Sequence, residues 1–318
     1  MDVPLVSVIV ICHNHGDYVF EALNSVLSQE YPSLEMIIVD NGSQDGSIDK
    51  IKTWLWMNDK ERSVKSFLYE HPINYCEAFN EALETAQGDY VIDLSGDDVL
   101  IPSHLEKSVQ ALRQCPEAGL CSSNANLINE EGKHIDTFFP VNQKGHVMGQ
   151  VPEGEVYERV VMRYCVCTPT IVFDSVKLKQ IGGYNEALVY EDFDIMTRLA
   201  RKYPFAFSDH IGVNKRIHGK AFSRQQYKTK SSSMLDSTVK VCKNIAIMNR
   251  TGFERKALIY RCVHEAKHAL ASANFGPADE LLHLAESLGA NGLAVKLLRL
   301  WHGMKLDVSF LYERLKKL

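Results

Sequence analysis

Leu5 to Ile11 reads LVSVIVI, an almost unbroken run of aliphatic and β-branched residues that ends abruptly in the polar stretch CHNHGDYV. A run that is apolar at successive positions, not alternate ones, suits a strand buried on both faces, the condition of a strand in a parallel sheet covered by helices. The pattern recurs. Leu34 to Val39 is mostly apolar and gives way to Asp40, Asn41, Gly42 and Ser43, and Tyr90 to Leu94 stops at Ser95, Gly96, Asp97 and Asp98. Between these runs the periodicity changes to 3.6. Asp17 to Gln29 places Val19, Leu23, Val26 and Leu27 on one helical face, and Asn74 to Gln87 does the same with Phe79, Ala82, Leu83 and Ala86. With a helix over Ser47 to Trp56 and a weaker strand over Val64 to Tyr69, the order is β-α-β-α-β-α-β. This predicts an α/β domain, a Rossmann-like sheet flanked by helices. Open sheets of this kind bind ligands beyond the carboxyl ends of their strands, so the polar residues that end each run are the candidates for chemistry.

Composition narrows the ligand. The chain has 318 residues and a net charge of −5, which gives no global field for nucleic acid. The first strand is not followed by GxGxxG, and GxxxxGK[ST] is absent throughout, so dinucleotide and P-loop readings are disfavoured. The eight cysteines show no CxxC pairing. Cys12, Cys121 and Cys262 sit in apolar contexts, and the CxC of Cys165 and Cys167 has no evident partners, so reduced core thiols in a cytoplasmic protein are expected. No apolar stretch reaches the length of a membrane span.

Asp97 and Asp98 are adjacent carboxylates at a strand end. Such a pair repels itself unless a cation is shared, and Mg2+ or Mn2+ held against a phosphate is the chemistry that needs it; an Asp helix cap with a solvated neighbour is the simpler alternative. His13 and Asn14 end the first strand and Asp40 and Asn41 the second, so a ring and an acid or amide could meet there around a nucleoside. An ordinary Asn41-Gly42 turn, with Ser43 or Asp45 capping the next helix, also accounts for the second of these ends. Glu191 and Asp192 stand where a helix begins. Two acids suit the helix dipole there, and an Asp in that place can also act as an exposed general base. Arg216, His218 and Gly219 close a pair of short strands, Phe205 to Ser208 and Gly212 to Ile217.

Over residues 4–222 the chain resembles the inverting GT-A glycosyltransferases of family 2. PLVSVIVICHNHGDYVFEALNSVLSQEYPSLEMIIVDNGSQDGS is similar to the family's nucleotide-binding opening, and ALETAQGDYVIDLSGDDVLIPSHLEK to its metal-binding segment. GGYNEALVYEDFDIMTRLARKY resembles the acceptor-side segment and KRIHGKAFS the closing loop. The resemblance implies transfer of a sugar, with inversion, from a nucleotide-diphosphate donor to a hydroxyl of a glycan or lipid-linked glycan, in surface polysaccharide synthesis. It places His13 near the base, Asp40 and Asn41 on the base or ribose, Asp97 and His218 at Mg2+ or Mn2+ and the diphosphate, and Glu191 and Asp192 in the catalytic ED pair, with Asp192 the base. Two positions depart from the family pattern. Ser95 stands at the first acid of DxD and Asn41 at the second acid of DDGS; Ser can still bond a ribose hydroxyl, and Asn offers both donor and acceptor. A UDP-sugar is the expected donor. A catalytically weak nucleotide-sugar-binding protein and, more remotely, a nucleotidyltransferase are the competing readings.

The resemblance implies a GT-A catalytic domain over residues 1–225, and helical spacing predicts a helical appendage over 226–318. Within the appendage, RKALIYRCVHEAKHAL carries basic residues beside Leu258, Tyr260, Val263 and Leu270. Packing against the catalytic domain is the expectation, with a peripheral membrane surface at the inner face of the cell membrane, or a partner helix, as the alternative. HEAKH matches HExxH by letter, but the competing catalytic segments argue against a zinc protease. A homodimer is also carried as an expectation.

Overall fold

The computed structural model describes residues 3–60, 63–219 and 221–315; Glu61 and Arg62 of the MNDKERS turn and Lys220 of KRIHGKAFS lie outside them. The elements run β1 (Val6–Cys12), α1 (Val19–Leu27), β2 (Leu34–Asp40), α2 (Ser47–Asn58), β3 (Lys65–Leu68), α3 (Tyr75–Thr85), β4 (Tyr90–Ser95), β5 (Val99–Leu100), α4 (His104–Gln114), β6 (Leu120–Ile128) and β7 (His134–Thr137). There follow α5 (Tyr157–Met162), β8 (Val172–Asp174), α6 (Ser175–Gln180), α7 (Asp192–Ala200) and β9 (Phe205–Arg216). The chain ends in α8 (Ser233–Met248), α9 (Gly252–Ala271), α10 (Phe275–Ser287), α11 (Leu293–Met304) and α12 (Ser309–Leu315). Two compact units result. The first comprises Met1–Val156, Cys165–Ala187 and Arg198–His218, the second Tyr157–Tyr164, Leu188–Thr197 and Gly219–Leu318.

The first unit is built on one mixed sheet of order β3-β2-β1-β4-β8-β6-β9-β5, with β7 paired to β6. β1 runs parallel to both β2 and β4, and β2 parallel to β3, as continuous apolar runs require. All seven residues of β1 are buried. Each fully buried Val, Leu or Ile in this core contributes about 1.5–3 kcal/mol relative to exposure. This is a GT-A-like fold: a mixed sheet flanked by helices, in a chain that continues into a helical block.

Two local expectations need correcting, and β8 itself is short because Pro169 lacks an N–H for a ladder and Thr168–Thr170 takes a 3-10 turn ahead of it. The two short strands expected from Phe205 to Ile217 are one, β9. Its register against β6 jumps from Ser123↔Ser208 to Asn124↔Ile211, so a bulge accommodates the polar residues that looked like a break. Asp98 is no helix cap, since α4 starts only at His104. Two residues of β5 intervene and pair antiparallel with β9, which carries the SGDD turn against the end of β9.

The second unit has its own core, in which Leu235, Ala269, Leu270 and Ala278 are fully buried and Leu298 and Trp301 pack against them. A capping box opens α9: the Thr251 hydroxyl accepts from the Glu254 N–H at 3.1 Å, and the Glu254 carboxylate accepts from the Thr251 N–H at 3.3 Å. The HEAKH letters serve packing. Glu265 is buried against Arg261 (2.9 Å) and accepts from the Tyr227 hydroxyl (2.9 Å), while His268 Nδ1 meets the Tyr312 hydroxyl at 2.8 Å. Among the described residues no group of three or more His, Cys, Asp or Glu side chains is arranged to hold a metal, and no helix is long and apolar enough to cross a membrane.

Candidate active site

The loops that follow β1 and β2 are laced together. Asn14 adopts a left-handed backbone (φ 59°), which an asparagine tolerates; its N–H donates to Ser43 Oγ (2.8 Å) and its Oδ1 accepts from the Gln44 N–H (2.8 Å). His13 Nδ1–H donates to the Asn41 carbonyl at 2.7 Å, and Nε2 faces the Asn14 amide nitrogen at 3.1 Å, which assigns the tautomer. Asp45 accepts from the Gly16 N–H (2.8 Å) and from the Ser47 N–H (3.1 Å) and hydroxyl (2.5 Å). Burial alone would raise its carboxyl pKa, but these bonds outweigh it and hold it low. Gly46, not Ser43 or Asp45, occupies the cap position of α2.

Asp40 and Asn41 are both buried. Asp40 Oδ1 accepts from the Ser43 N–H (2.9 Å), and its Oδ2 is enclosed with no hydrogen-bond partner among the described residues. The Asn41 amide pairs with the backbone of Ile73 at both ends, accepting from its N–H (2.8 Å) and donating to its carbonyl (3.0 Å). A side-chain amide thus imitates one rung of a sheet and fixes the loop before α3. Gly42 sits so close to that loop that a Cβ would lie 2.3 Å from the Pro72 nitrogen, with a φ of +68° that itself favours glycine.

At the end of β4 three side chains converge on Asp97. Its Oδ1 accepts from Ser95 Oγ (2.5 Å), its Oδ2 accepts from His218 Nε2–H (2.8 Å), and His15 Nε2 stands 3.8 Å from the same oxygen. Burial pushes the Asp97 carboxyl pKa up, but the His218 bond, the His15 imidazole and the Ser95 hydroxyl together bring it below the usual carboxylate range. Asp98 goes the other way. It is fully enclosed, and burial and then the charge of Asp97 raise it. Its Oδ1 accepts the backbone N–H of Arg216 at 2.8 Å. The adjacent acids are therefore driven in opposite directions, which is how two neighbouring carboxyls coexist.

Arg216 organises the surroundings. Its guanidinium donates to the Asp97 carbonyl (3.1 Å), the Asn129 and Glu130 carbonyls (3.1 and 3.0 Å) and Glu21 Oε2 (2.6 Å), and it lies over the Tyr18 ring, 4.5 Å from the centroid. His15 is lodged under the turn: a Cβ on Gly96 would meet its Nδ1 at 3.0 Å, and that nitrogen is buried without a hydrogen-bond partner among the described residues.

The structure thus brings Ser95, Asp97 and His218 together and joins His13 to the Asp40-Asn41 turn. Glu191 and Asp192 are half-buried at the start of α7, in the second unit. Sequence reading missed His15, which lies two residues beyond His13 in HNHGD, and Asp93, which sits inside an apparently apolar strand. The signal for His15 was its place in a polar strand end. For Asp93 it was an acid within YVIDLS.

A carboxylate oxygen flanked by two imidazole nitrogens fits a divalent transition ion such as Mn2+ better than Mg2+, which prefers an all-oxygen shell. Asp97 and His218 are the side chains that would hold it.

Asp93 lies two residues before Ser95 on β4. Its carboxylate accepts from the Tyr75 hydroxyl at both oxygens (2.9 Å each) and from the Tyr184 hydroxyl (2.9 Å). Burial outweighs these bonds and pushes its pKa up to about 6. The folded chain then binds this proton more tightly than the unfolded one, so the contribution to stability is complete below about pH 4 and is lost as pH rises through about 6. Asp93→Asn is expected to stabilise the protein by about 1–3 kcal/mol at about pH 8 and to leave it unchanged or weaker at about pH 4. Urea unfolding at the two pH values checks this. An equal effect at both would disconnect Asp93 from the pH dependence.

The fold is thus GT-A-like, with a polar site at the carboxyl ends of β1, β2 and β4. Residues 7–137 match the model of glycosyl transferase family 2. An uncharacterized glycosyltransferase of Rickettsia conorii is 27% identical over 229 residues, 70% of this chain and 35% of that protein. The putative teichuronic acid biosynthesis glycosyltransferase TuaG of Bacillus subtilis is 31% identical over 184 residues, covering 57% of this chain and 67% of TuaG. The crystal structure of S. aureus TarS 1–349 in complex with UDP-GlcNAc superposes with a TM-score of 0.71 at 15% identity, over 97% of this chain and 91% of that one. The chain belongs to glycosyltransferase family 2. It spans about a third of the length of the first curated relatives it matches.

Proposed function

We propose that the protein is an inverting glycosyltransferase that moves a sugar from a nucleotide-diphosphate donor, a UDP-sugar, to a hydroxyl of a glycan or lipid-linked glycan in surface polysaccharide synthesis. The observation that carries it is the Asp97 carboxyl group, held by Ser95 and His218 at the carboxyl end of β4. Family membership, a relative named for teichuronic acid biosynthesis and a fold shared with a UDP-GlcNAc complex support the donor and pathway class. The cytoplasm, where nucleotide sugars are consumed by such enzymes, is the proposed location.

Within this reading the laced β1 and β2 loops receive the nucleoside. His13 presents the edge of its ring beside the base, and Asn41 acts through the Ile73 loop it braces, with Asp40 shaping the turn from beneath. Ser95, an acid in the family pattern, gives its hydroxyl to Asp97 and keeps that carboxylate oriented. A divalent cation bound at Asp97 and His218 would supply positive charge against the leaving diphosphate. Asp192 takes the proton from the acceptor hydroxyl as that oxygen attacks the anomeric carbon from the face opposite the diphosphate. Glu191 supports it from the adjacent position. One displacement moves the sugar with inversion, without a covalent sugar-enzyme intermediate.

Thermal denaturation in the presence of UDP-sugars, with and without Mn2+, tests the donor assignment. Donor at a hundredfold excess over its Kd is expected to add about 2.7 kcal/mol, with Mn2+ needed for the full shift. Failure of every nucleotide sugar to stabilise the chain would remove this reading. A second reading, a nucleotide-sugar-binding protein without turnover, draws on Ser95 in place of an acid and on the engaged Asn41 amide. Donor hydrolysis separates the two, since a binding protein shifts the melting curve and releases no UDP.

A further inference from the structure

Helix α11 is apolar on two opposite sides. Val295 and Leu298 face the core of the second unit, where Val295 is buried and Leu298 packs against the cluster around Leu270. On the other side Leu293, Leu297, Leu300 and Met304 recur at i, i+4, i+7 and i+11, each more than half exposed, within an arc of about 60°. The exposed apolar surface continues past the left-handed turn at Lys305 into Leu306, Phe310, Leu311 and Leu315, all likewise more than half exposed. Beside it a groove of about 300 Å³ opens between α9 and α11, lined by Tyr260, Val263, His264, Lys267, Leu297 and Leu298. Water-facing helices do not keep such a stripe without a cover.

The charges around the stripe choose the cover. Lys267, Lys296 and Lys305 are exposed and make no ion pair among the described residues, and the Arg314 guanidinium lies over the Phe310 ring at 4.4 Å. The acids of the same stretch are fewer: Asp307 pairs with Lys230 (2.9 Å), and Glu313 accepts from the Thr229 hydroxyl (3.0 Å) and keeps its charge. A second copy of this face would set cations against cations. A membrane rich in anionic phospholipid meets both needs, taking the leucines and phenylalanine into its interface and the lysines to its headgroups.

We infer that the α11–α12 face is a peripheral docking surface for anionic membranes. The groove between α9 and α11 would take acyl-chain carbons from the interface, with Lys267 at its mouth near the phosphates. This does not rest on sugar transfer, and its test needs neither donor nor acceptor.

The experiment is sedimentation of the full chain with vesicles of phosphatidylcholine alone or phosphatidylcholine mixed with phosphatidylglycerol. Binding is expected to the mixed vesicles, to weaken with salt, and to be much weaker on neutral ones. Leu297→Glu with Leu300→Glu should lower the partition constant at least about tenfold, and Lys296→Glu with Lys305→Glu by about tenfold, chiefly on anionic vesicles. All four positions are exposed, so the far-UV spectrum and the melting temperature should be unchanged. Wild-type protein that stays in the supernatant, or variants that bind as well as wild type, would overturn the inference. So would a concentration-dependent dimer that Leu297→Glu dissociates in a protein that ignores vesicles, which assigns the face to a second copy instead.

Discussion

Asp97→Asn is expected to lower the rate of sugar transfer about a hundred- to a thousandfold, the range for removing one preorganised charge-stabilising group from an active site. The substitution keeps the shape of the side chain and its acceptor for the Ser95 hydroxyl. It removes the negative charge that draws His218 and His15 to one oxygen, and it presents an amide hydrogen to His218 where an acceptor had been. Calorimetric titration of UDP should show the Mn2+-dependent part of the affinity disappear, while any Mn2+-independent part from the β1 and β2 loops persists. The fold should survive, because Asp98, which carries the structural bond to Arg216, is untouched. Transfer at the wild-type rate in Asp97→Asn, with Mn2+ dependence intact, would make SGDD a structural turn.

The second large effect is expected at Asp192. Asp192→Asn should reduce kcat about a hundred- to ten-thousandfold, the usual contribution of a positioned general base, and leave the Kd for the donor nearly unchanged. A structural role predicts a different outcome. Asp192 is the first residue of α7, where its charge favours the helix dipole; loss of that charge alone costs stability of about 0.3–1 kcal/mol and leaves turnover alone. The neighbouring Tyr190, whose phenol pKa is pushed up by burial and then by the charge of Asp192, hydrogen-bonds Thr238 at 2.7 Å, so the start of the helix has support independent of the carboxylate. Comparing single-turnover rates with calorimetric donor binding separates the base from the cap. Unimpaired single turnover would exclude Asp192 as the base.

The opening half of the fold was legible because its strands are continuous apolar runs with polar ends, and such runs have few homes other than a parallel sheet. β1, β2 and β4 and their helices appear within a few residues of where periodicity put them. Legibility failed where pairing is decided by partners distant in the chain. β9 carries a serine, an aspartate and a histidine in its middle, which read as a break. Only the bulge against Asn124 shows how the strand continues through them. β5 is two residues long and carries no periodicity, yet its pairing with β9 determines that Asp98 faces a backbone N–H and not the start of a helix. In the site, residue type at a strand end singled out Asp97, and the resemblance to family 2 set His218 beside it; the two side chains meet at 2.8 Å. Residue type was silent on His15, since nothing in HNHGD says which histidine reaches beneath the SGDD turn. Asp93 escaped for the opposite reason: one acid inside an apolar run looks like an edge position until Tyr75 and Tyr184, from α3 and the loop after α6, are seen to close over it.

The bonds that Arg216 makes also bear on the order in which the protein can be assembled. Asp98 and the Asp97 carbonyl find their partner 118 and 119 positions further along the chain, and Glu21 finds it 195 positions later. No nascent chain or fragment ending before β9 can hold these acids in place, however well β1 to β4 have already formed. Closing so long a loop is entropically slow, and the contact that rewards it is the one that sets the site. During synthesis the scaffold therefore precedes the site, which is complete only once Arg216 lies over the Tyr18 ring and His218 reaches Asp97.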